Sequence, residues 1–330
     1  MSKFFARIFA LVLSALLALS ATAEEPAGPA LLVLNKSEST MAIIDPATLQ
    51  VVARVPTGDA PHEVATSADG RYAFVANYGT GPNPGNTLSV IDIAARKEVR
   101  RVDLGALLRP HGITERGGKI YFTAEGSAAV ARYDPAAGRV DWIIGTGQIA
   151  THMLVVTPDA KKIYTANIGS DTVTVIQPGA VAGTAKIAQI AVGQGPEGID
   201  LSPDGRELWV AHRNDGKLSI IDTATDKIKE VITAGRFPIR VKFTPDGRRV
   251  LVSNAQGNEV AVFDAATRKE VKRIPVGAVP VGILITPDGR RAFVAATQAN
   301  KVSVINLEDL TLTGSIEPGR EPDGMAWAGK

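Results

Sequence analysis

Short apolar segments recur along the chain and are separated by polar turns. In segments such as 218–222, 260–264 and 302–306, apolar and polar residues largely alternate, and the run ends in Asp or Asn. This period of two is typical of strands and not of helices. A charged segment follows, as in 270–274, and charge suits an exposed edge strand because it discourages pairing with another sheet. The pattern predicts four short strands per unit.

The turn inside each unit marks a repeat. Tetrapeptides of the form Ser/Thr-Pro-Asp-Gly stand at 202–205, 244–247 and 286–289, with equal spacing between them. Pro presets φ for a turn, Asp can bond its own backbone, and Gly adopts the positive φ that the turn requires. These Asp residues are therefore predicted to be structural. Four strands in about 40 to 50 residues are typical of a β-propeller blade.

Seven blades follow from the residues at the entrances of the innermost strands. In chain order these are His62, His111, His152, Glu197, Ile239, Val281 and Asp323. The last unit holds a single strand, 324–328, and the start of the chain supplies three more, 31–35, 40–44 and 51–55. The predicted fold class is all-β: a seven-bladed propeller over 31–330, in which the two chain ends share one blade and close the ring.

The segment that precedes Glu24 does not follow the repeat. Lys3 and Arg7 come before an apolar run over 8–19, and Ala21-Thr22-Ala23 then supplies small residues. This pattern predicts a signal peptide over 1–23 that is cleaved after Ala23, a short linker over 24–30, and a periplasmic or secreted protein. An uncleaved anchor is the alternative, although the run is short for a bilayer.

Charge and composition narrow the class of partner. Without Lys3 and Arg7, the 36 basic residues fall to 34, which equals the number of acidic residues. A neutral chain has no general electrostatic reason to bind nucleic acid or an anionic membrane, although a local basic patch stays possible. No second apolar run approaches membrane-spanning length. We expect a monomer whose partner is a small molecule or a periplasmic protein. The chain has no Cys, so disulfides and thiolate metal ligands are excluded.

Several strand sequences resemble the YVTN β-propeller repeat family. The matching tetrads are 74–77, 164–167 and 251–254, and the resemblance covers essentially the whole chain after the leader. The resemblance implies a propeller and a secreted or periplasmic location, as in YncE-like proteins. It does not specify a function, because propellers include binding proteins, lactonases, lyases and metalloenzymes.

Histidines are the main candidates for chemistry. Three of the four in the chain, His62, His111 and His152, occupy the entrance position in consecutive blades. Ring closure is expected to bring Asp323 beside His62, and Glu197 lies in the blade after His152. The two remaining entrances are apolar. A polar arc beside an apolar wall is typical of a small-molecule site.

A second ring is predicted where the second strand of each blade ends, on the same face of the propeller. Its polar members include Glu125, Asn77, Asn167, His212 and Asn254. The full set of predicted ligand-binding residues is Asn77, Asn167, His212, Asn254, Arg109, Arg236 and Asp323. The loop 78–86 beside His62 is longer than its counterparts, so it is either a lid or a tolerated insertion.

Three imidazoles can hold one divalent transition metal, Zn, Cu, Ni or Fe, and leave a position open for water. His62, His111 and His152 are the predicted ligands, and Glu125 and Glu197 are the predicted catalytic carboxylates. A metal-free ligand site and a purely structural role remain alternatives. No nucleotide, haem or nucleophile-elbow motif is present.

Two functions stay open. The first is an exported propeller that binds a small ligand or partner at a His-lined funnel, with or without a metal. The alternative is a metal-dependent lyase or lactonase-type hydrolase that uses the same face.

Overall fold

The computed structural model describes residues 28–181 and 183–329. Within them, 28 strands form seven antiparallel sheets of four strands each, which confirms the predicted all-β seven-bladed propeller. The predicted signal peptide, with its cleavage after Ala23, lies outside the described residues, as does 24–27 of the predicted linker. In the described part, the helices are three short 3₁₀ turns, Lys36–Glu38, Glu125–Ser127 and Thr297–Ala299, and none of them is long enough to cross a membrane.

The strands are numbered in chain order, and each blade holds four. The blade shared by the two chain ends comprises β1 (Ala30–Asn35), β2 (Thr40–Asp45), β3 (Gln50–Pro56) and β28 (Pro322–Ala328). The next three blades comprise β4 (Pro61–Thr66), β5 (Tyr72–Gly79), β6 (Pro84–Asp92) and β7 (Lys97–Asp103); β8 (Pro110–Arg116), β9 (Lys119–Ala124), β10 (Ala129–Asp134) and β11 (Arg139–Gly145); and β12 (Thr151–Val156), β13 (Ile163–Asn167), β14 (Thr172–Pro178) and β15 (Ala185–Ala191). The last three comprise β16 (Pro196–Leu201), β17 (Glu207–His212), β18 (Lys217–Asp222) and β19 (Lys227–Thr233); β20 (Pro238–Phe243), β21 (Arg249–Asn254), β22 (Glu259–Asp264) and β23 (Glu270–Pro275); and β24 (Pro280–Ile285), β25 (Arg291–Ala296), β26 (Lys301–Asn306) and β27 (Thr311–Ile316).

The predicted ring closure is present. β28 pairs antiparallel with β1, with Leu31 opposite Trp327, and β1 continues the sheet to β2 and β3. The apolar core lies between the blades: one cluster joins Phe74 of β5 to Phe122 of β9 and Tyr133 of β10, all almost fully buried. Each blade therefore depends on its neighbours for burial of its apolar faces.

The repeated turns have the predicted chemistry. In the turn at 202–205, the Ser202 hydroxyl donates to Asp204 at 2.6 Å, and Asp204 accepts the backbone N–H of Arg206 at 3.1 Å. Gly205 has a φ of 71°, a left-handed conformation that glycine adopts without steric cost. The turn Asp residues hold the hairpin and stay at its exposed tip.

Every innermost strand begins in the same way. A residue in the left-handed conformation is followed by Pro, or by Thr in one blade, and then by the entrance residue. The left-handed residues are Ala60, Arg109, Ala150, Gly195, Phe237, Val279 and Glu321. A register shift follows, as between Pro61 and Glu63 of β4. Because such irregularities re-aim side chains, they account for entrance residues that turn into the channel and not onto a blade face.

The position after the entrance residue explains how closely the innermost strands approach. It is Gly112, Gly198, Gly282 and Gly324 in four blades. A Cβ on Gly112 would lie 2.8 Å from the backbone oxygen of His152, and one on Gly324 would overlap the backbone oxygen of His62. Glycine is needed there because the backbone of the next blade occupies the space.

We expect Gly324→Ala to destabilise the propeller by about 1–3 kcal/mol, because the added methyl meets backbone that cannot move independently. Gly145→Ala on the outer strand β11 is the matched control, since no atom lies within 4 Å of its added Cβ. Thermal and urea unfolding of both variants would measure the difference. Equal stability of the two would contradict the close packing described here.

Candidate functional site

One cavity of about 310 Å³ opens at the channel mouth. All seven entrance residues line it, and so do Lys36, Tyr78, Glu125, Arg213 and Arg240. The structure therefore brings together the three predicted metal ligands, the two predicted catalytic carboxylates and Asp323. The following paragraphs call this space the mouth cavity.

His152 lies between two carboxylates. Its Nδ1 is 2.6 Å from Glu125 Oε2, and its Nε2 is 3.6 Å from Glu197 Oε1. Burial disfavours a charged imidazole, but the hydrogen bond to Glu125 and the charges of Glu125 and Glu197 outweigh it and raise the pKa of His152 to about 9. His152 is therefore an imidazolium at neutral pH.

Both carboxylates are ionised in return. Burial opposes their charge, but the contacts with His152 hold the pKa of Glu125 and that of Glu197 below the usual value. Each carboxylate has one further donor: the Tyr78 hydroxyl at 2.7 Å from Glu125, and Arg213 at 3.0 Å from Glu197. Burial and the bond to Glu125 raise the pKa of Tyr78 to about 12, so Tyr78 is a neutral donor.

His62 and His111 have the opposite protonation. Burial lowers the pKa of His62 and, more strongly, that of His111, where the charge of His152 adds to the effect. The His111 ring stacks on His152 with centroids 3.7 Å apart, and the His62 ring lies 5.0 Å from His111. His62 Nδ1 is 2.8 Å from the carbonyl of Ala60. Assigning the ring proton to this Nδ1 leaves Nε2 of His62 with a free lone pair.

This arrangement would have to change for His62, His111 and His152 to hold one ion together. Both nitrogens of His152 face carboxylates, and an imidazolium has no lone pair for a metal. The His111 and His152 rings lie against each other, with centroids 3.7 Å apart and planes tilted by 32°. In residues 28–181 and 183–329, no group of three or more His, Asp or Glu has the geometry to hold an ion. The predicted metal itself stays a prediction.

Asp323 is placed as expected and has a partner. Its carboxylate lies 3.2 Å from the Lys36 ammonium at the edge of the mouth cavity, and its charge favours protonation of His62 while Lys36 disfavours it. The pair therefore lies close enough to His62 to affect its protonation. Its ligand-binding role remains a prediction.

Three predicted ligand-binding residues lie inside their blades. Asn77 accepts the backbone N–H of Gly58 at 3.0 Å, Asn167 donates to Thr174 at 2.8 Å, and Asn254 donates to the backbone of residue 234 at 3.2 Å. All three are fully buried or nearly so. Asn167 thus joins two strands of its blade, whereas Asn77 and Asn254 bind the connections that lead in from the preceding blade.

His212 occupies the same position in its blade as these asparagines. It is completely buried, and its Nδ1 lies 3.5 Å from Asp215 Oδ1. Burial lowers the pKa of His212 despite this carboxylate. His212 is not among the residues that line the mouth cavity, so the structure does not bring it to the other histidines.

The two predicted arginines differ in position. Arg109 donates to the carbonyls of Thr80 and Gly81 at 3.1 and 3.0 Å and lies over the Tyr78 ring at 4.9 Å. It therefore fixes the long loop, which the structure shows as an extended β5–β6 hairpin. Arg236 is exposed and lies outside the mouth cavity.

Sequence reasoning missed Lys36, Tyr78 and Arg240, which are polar residues of the mouth cavity. Each directly follows a member of one of the two predicted rings, since Lys36 follows Asn35, Tyr78 follows Asn77 and Arg240 follows Ile239. The positions directly after the ring positions could therefore have revealed these three residues from the sequence. These positions were not used because an ideal strand would point alternate residues in opposite directions.

A family model described as "Lactonase, 7-bladed beta-propeller" matches residues 26–318. The resemblance to YVTN repeats, by contrast, stays a prediction. Among the curated proteins, no match to this chain is found.

Solved structures share the fold at low sequence identity. The periplasmic gluconolactonase PpgL of Pseudomonas aeruginosa is 20% identical with a TM-score of 0.74, covering 91% of this chain and 99% of that one. A putative 6-phosphogluconolactonase of Bacteroides fragilis is 17% identical with a TM-score of 0.76, covering 91% and 98%. Hydrazine synthase of Kuenenia stuttgartiensis is 20% identical with a TM-score of 0.74, covering 88% and 98%. At such identities the likeness shows the fold alone.

We expect the His152 ring to titrate near pH 9, well above the ordinary 6.5, because two carboxylates hold its proton. A raised folded pKa stabilises the protein fully below pH 6.5, and this contribution, about 3 kcal/mol, is lost as pH rises through 9. NMR titration of ¹⁵N-labelled histidine would measure the midpoint. Glu125→Gln should lower it. A midpoint near 6.5 in the unaltered protein would contradict the conclusion that Glu125 and Glu197 hold the proton on His152.

Proposed function

We propose a function from one premise: the chain belongs to the family of seven-bladed β-propeller lactonases. We propose that it is a lactonase-type hydrolase, which opens a cyclic ester with water in the mouth cavity. The family match supports this alternative of the sequence analysis better than it supports a protein that only binds a ligand.

One arrangement supports the chemistry most directly: an imidazole held by two carboxylates lines the same cavity as two imidazoles that pair with no carboxylate among the described residues. His62 and His111 are neutral, whereas His152 is charged. A neutral imidazole can accept a proton at neutral pH, and a fixed cation can stabilise an oxyanion. Ester hydrolysis requires both.

In the proposed step, His62 Nε2 takes a proton from water while the water oxygen bonds to the lactone carbonyl carbon. The negative charge that develops on the carbonyl oxygen is stabilised by the Lys36 ammonium and by the charge of the His152 imidazolium, whose N–H groups themselves face Glu125 and Glu197. The ring C–O bond then breaks, and the leaving oxygen takes the proton from His62. The product is a hydroxy acid, and no group is consumed.

In this proposal, Glu125 and Glu197 do not act as the catalytic carboxylates that the sequence predicts. Each already binds His152 and a second donor. They keep His152 charged and fix its ring, so they are positioning residues. Tyr78 donates a hydrogen bond to Glu125 and Arg213 donates one to Glu197, which holds the two carboxylates in place.

The substrate class is proposed from the relatives. Two structures of the same fold are named as a gluconolactonase and a putative 6-phosphogluconolactonase, so a sugar lactone is the first probe. D-Glucono-1,5-lactone is a suitable test substrate, with its spontaneous hydrolysis subtracted. The predicted signal peptide supports an exported enzyme.

We expect His62→Gln to lower kcat/KM for this lactone by at least about 100-fold, because general-base catalysis contributes 10²–10⁴-fold. His212→Asn is the matched control, since other blades place Asn at the equivalent position. A pH-stat assay on both variants would measure the effect. Equal activity of His62→Gln and the unaltered protein would exclude His62 as the base, and absence of lactone hydrolysis in the unaltered protein would overturn the function.

The pH profile provides a separate test. We expect kcat/KM to decline above about pH 9, as His152 loses its proton. Glu125→Gln should move this alkaline limb to lower pH, because it removes a carboxylate that favours the charged ring. An alkaline limb that does not move in Glu125→Gln would contradict the role of His152.

Whether the protein binds a metal can be measured directly. Stoichiometric Zn, Cu, Ni or Fe in the purified protein, or a rise in Tm on adding one of them, would support the metal predicted from the sequence. The proposed step uses only side chains, so we expect hydrolysis to persist after dialysis against a chelator. Loss of activity that returns with one of these ions would favour the metal-dependent alternative.

A further inference from the structure

Three long side chains close the channel beneath the mouth cavity. They occupy the position after the entrance residue in the three blades that lack glycine there: Glu63, Met153 and Arg240. Arg240 donates to the Glu63 carboxylate from across the ring and to the Met153 sulfur at 3.3 Å. All three residues are buried. This partition separates the mouth cavity from the rest of the channel.

A second cavity of about 410 Å³ lies beyond the partition, at the exit ends of the innermost strands. We call it the exit chamber. The partition residues line one end of it, and its walls carry Arg116, Asp200 and Lys242 among apolar residues such as Ile113 and Met325. Nothing in the proposed hydrolysis uses this space.

The charges of the exit chamber do not balance. Glu63 pairs with Arg240, and the Asp200 carboxylate lies 3.5 Å from the Lys242 ammonium and accepts the backbone N–H of Phe243 at 2.9 Å. Arg116 forms no ion pair with any residue in the described part of the chain. Its Nε is buried and has no hydrogen-bond partner there.

An unpartnered guanidinium N–H is unfavourable when buried, because it has lost water and gained no acceptor. Guanidinium groups bind carboxylates with two parallel hydrogen bonds. A single uncompensated positive charge beside apolar walls suits a ligand with one negative group and a short carbon chain. We propose that the exit chamber is a second binding site, which takes a small monocarboxylate on Arg116. Such binding does not depend on hydrolase activity at the mouth.

The chamber carries its own reporters. The chain has four Met residues, and Met153 and Met325 line the exit chamber, whereas Met41 is fully buried elsewhere. Methyl-¹³C-methionine NMR of the intact protein therefore detects occupancy at two methyl groups, with Met41 as an internal control. Butyrate, butyramide and butylammonium are probes of matched length that differ in the charge of the head group.

We expect butyrate to shift the Met153 and Met325 signals saturably, with butyramide at least tenfold weaker and butylammonium without effect. Arg116→Ala should weaken butyrate binding at least tenfold. Arg139→Ala, which removes an exposed arginine from the same blade, should leave binding unchanged, and so should Lys36→Ala at the mouth.

Four outcomes would overturn the proposal. They are unmoved Met153 and Met325 signals, equal affinity for butyrate and butyramide, equal affinity in Arg116→Ala, or loss of binding in Lys36→Ala. The comparison of probes uses the unaltered protein, so the test does not depend on the folding of a variant.

Discussion

The close approach of seven innermost strands to one axis is the constraint from which the rest of the structure follows. It requires glycine where the backbone of the next blade occupies the space, as at Gly324 and Gly112. It also aligns the seven strand entrances, so that residues far apart in the chain line one cavity. The left-handed residue before each entrance, followed by proline in six of the seven blades, fixes how the strand arrives there. The chemistry of the mouth cavity is therefore a property of the ring and of no single blade.

Burial then determines the protonation of the histidines. The His111 ring contacts both the His62 ring and the His152 ring. Only His152 is charged, because only His152 has a carboxylate facing each ring nitrogen. A second charge on the stacked ring of His111 would be repelled and desolvated. Burial thus keeps His62 and His111 neutral, and the placement of Glu125 and Glu197 keeps His152 charged.

The fold could be predicted from sequence almost completely, because its determinants are local. The turns at 202–205 and its counterparts fix the hairpins, and the expected strands 31–35 and 324–328 correspond to β1 and β28. The site was predicted in part. His152, Glu125 and Glu197 share one cavity as expected, but the contact between them depends on side-chain rotamers from three blades. Arg240 and Lys36 were missed because strand irregularities, which the residue pattern does not reveal, turn neighbouring positions towards the same space.

The shared terminal blade has a consequence for synthesis. β1 is made before the other strands of the ring and its partner β28 after them, so Leu31 cannot meet Trp327 until the strands of all seven blades have been made. Until then the nascent chain is an open arc with an unsatisfied strand edge at its beginning, and contacts so distant along the chain form slowly. Closure of the ring therefore follows the synthesis of every other strand of the propeller, and β28 joins a sheet whose other three strands already exist.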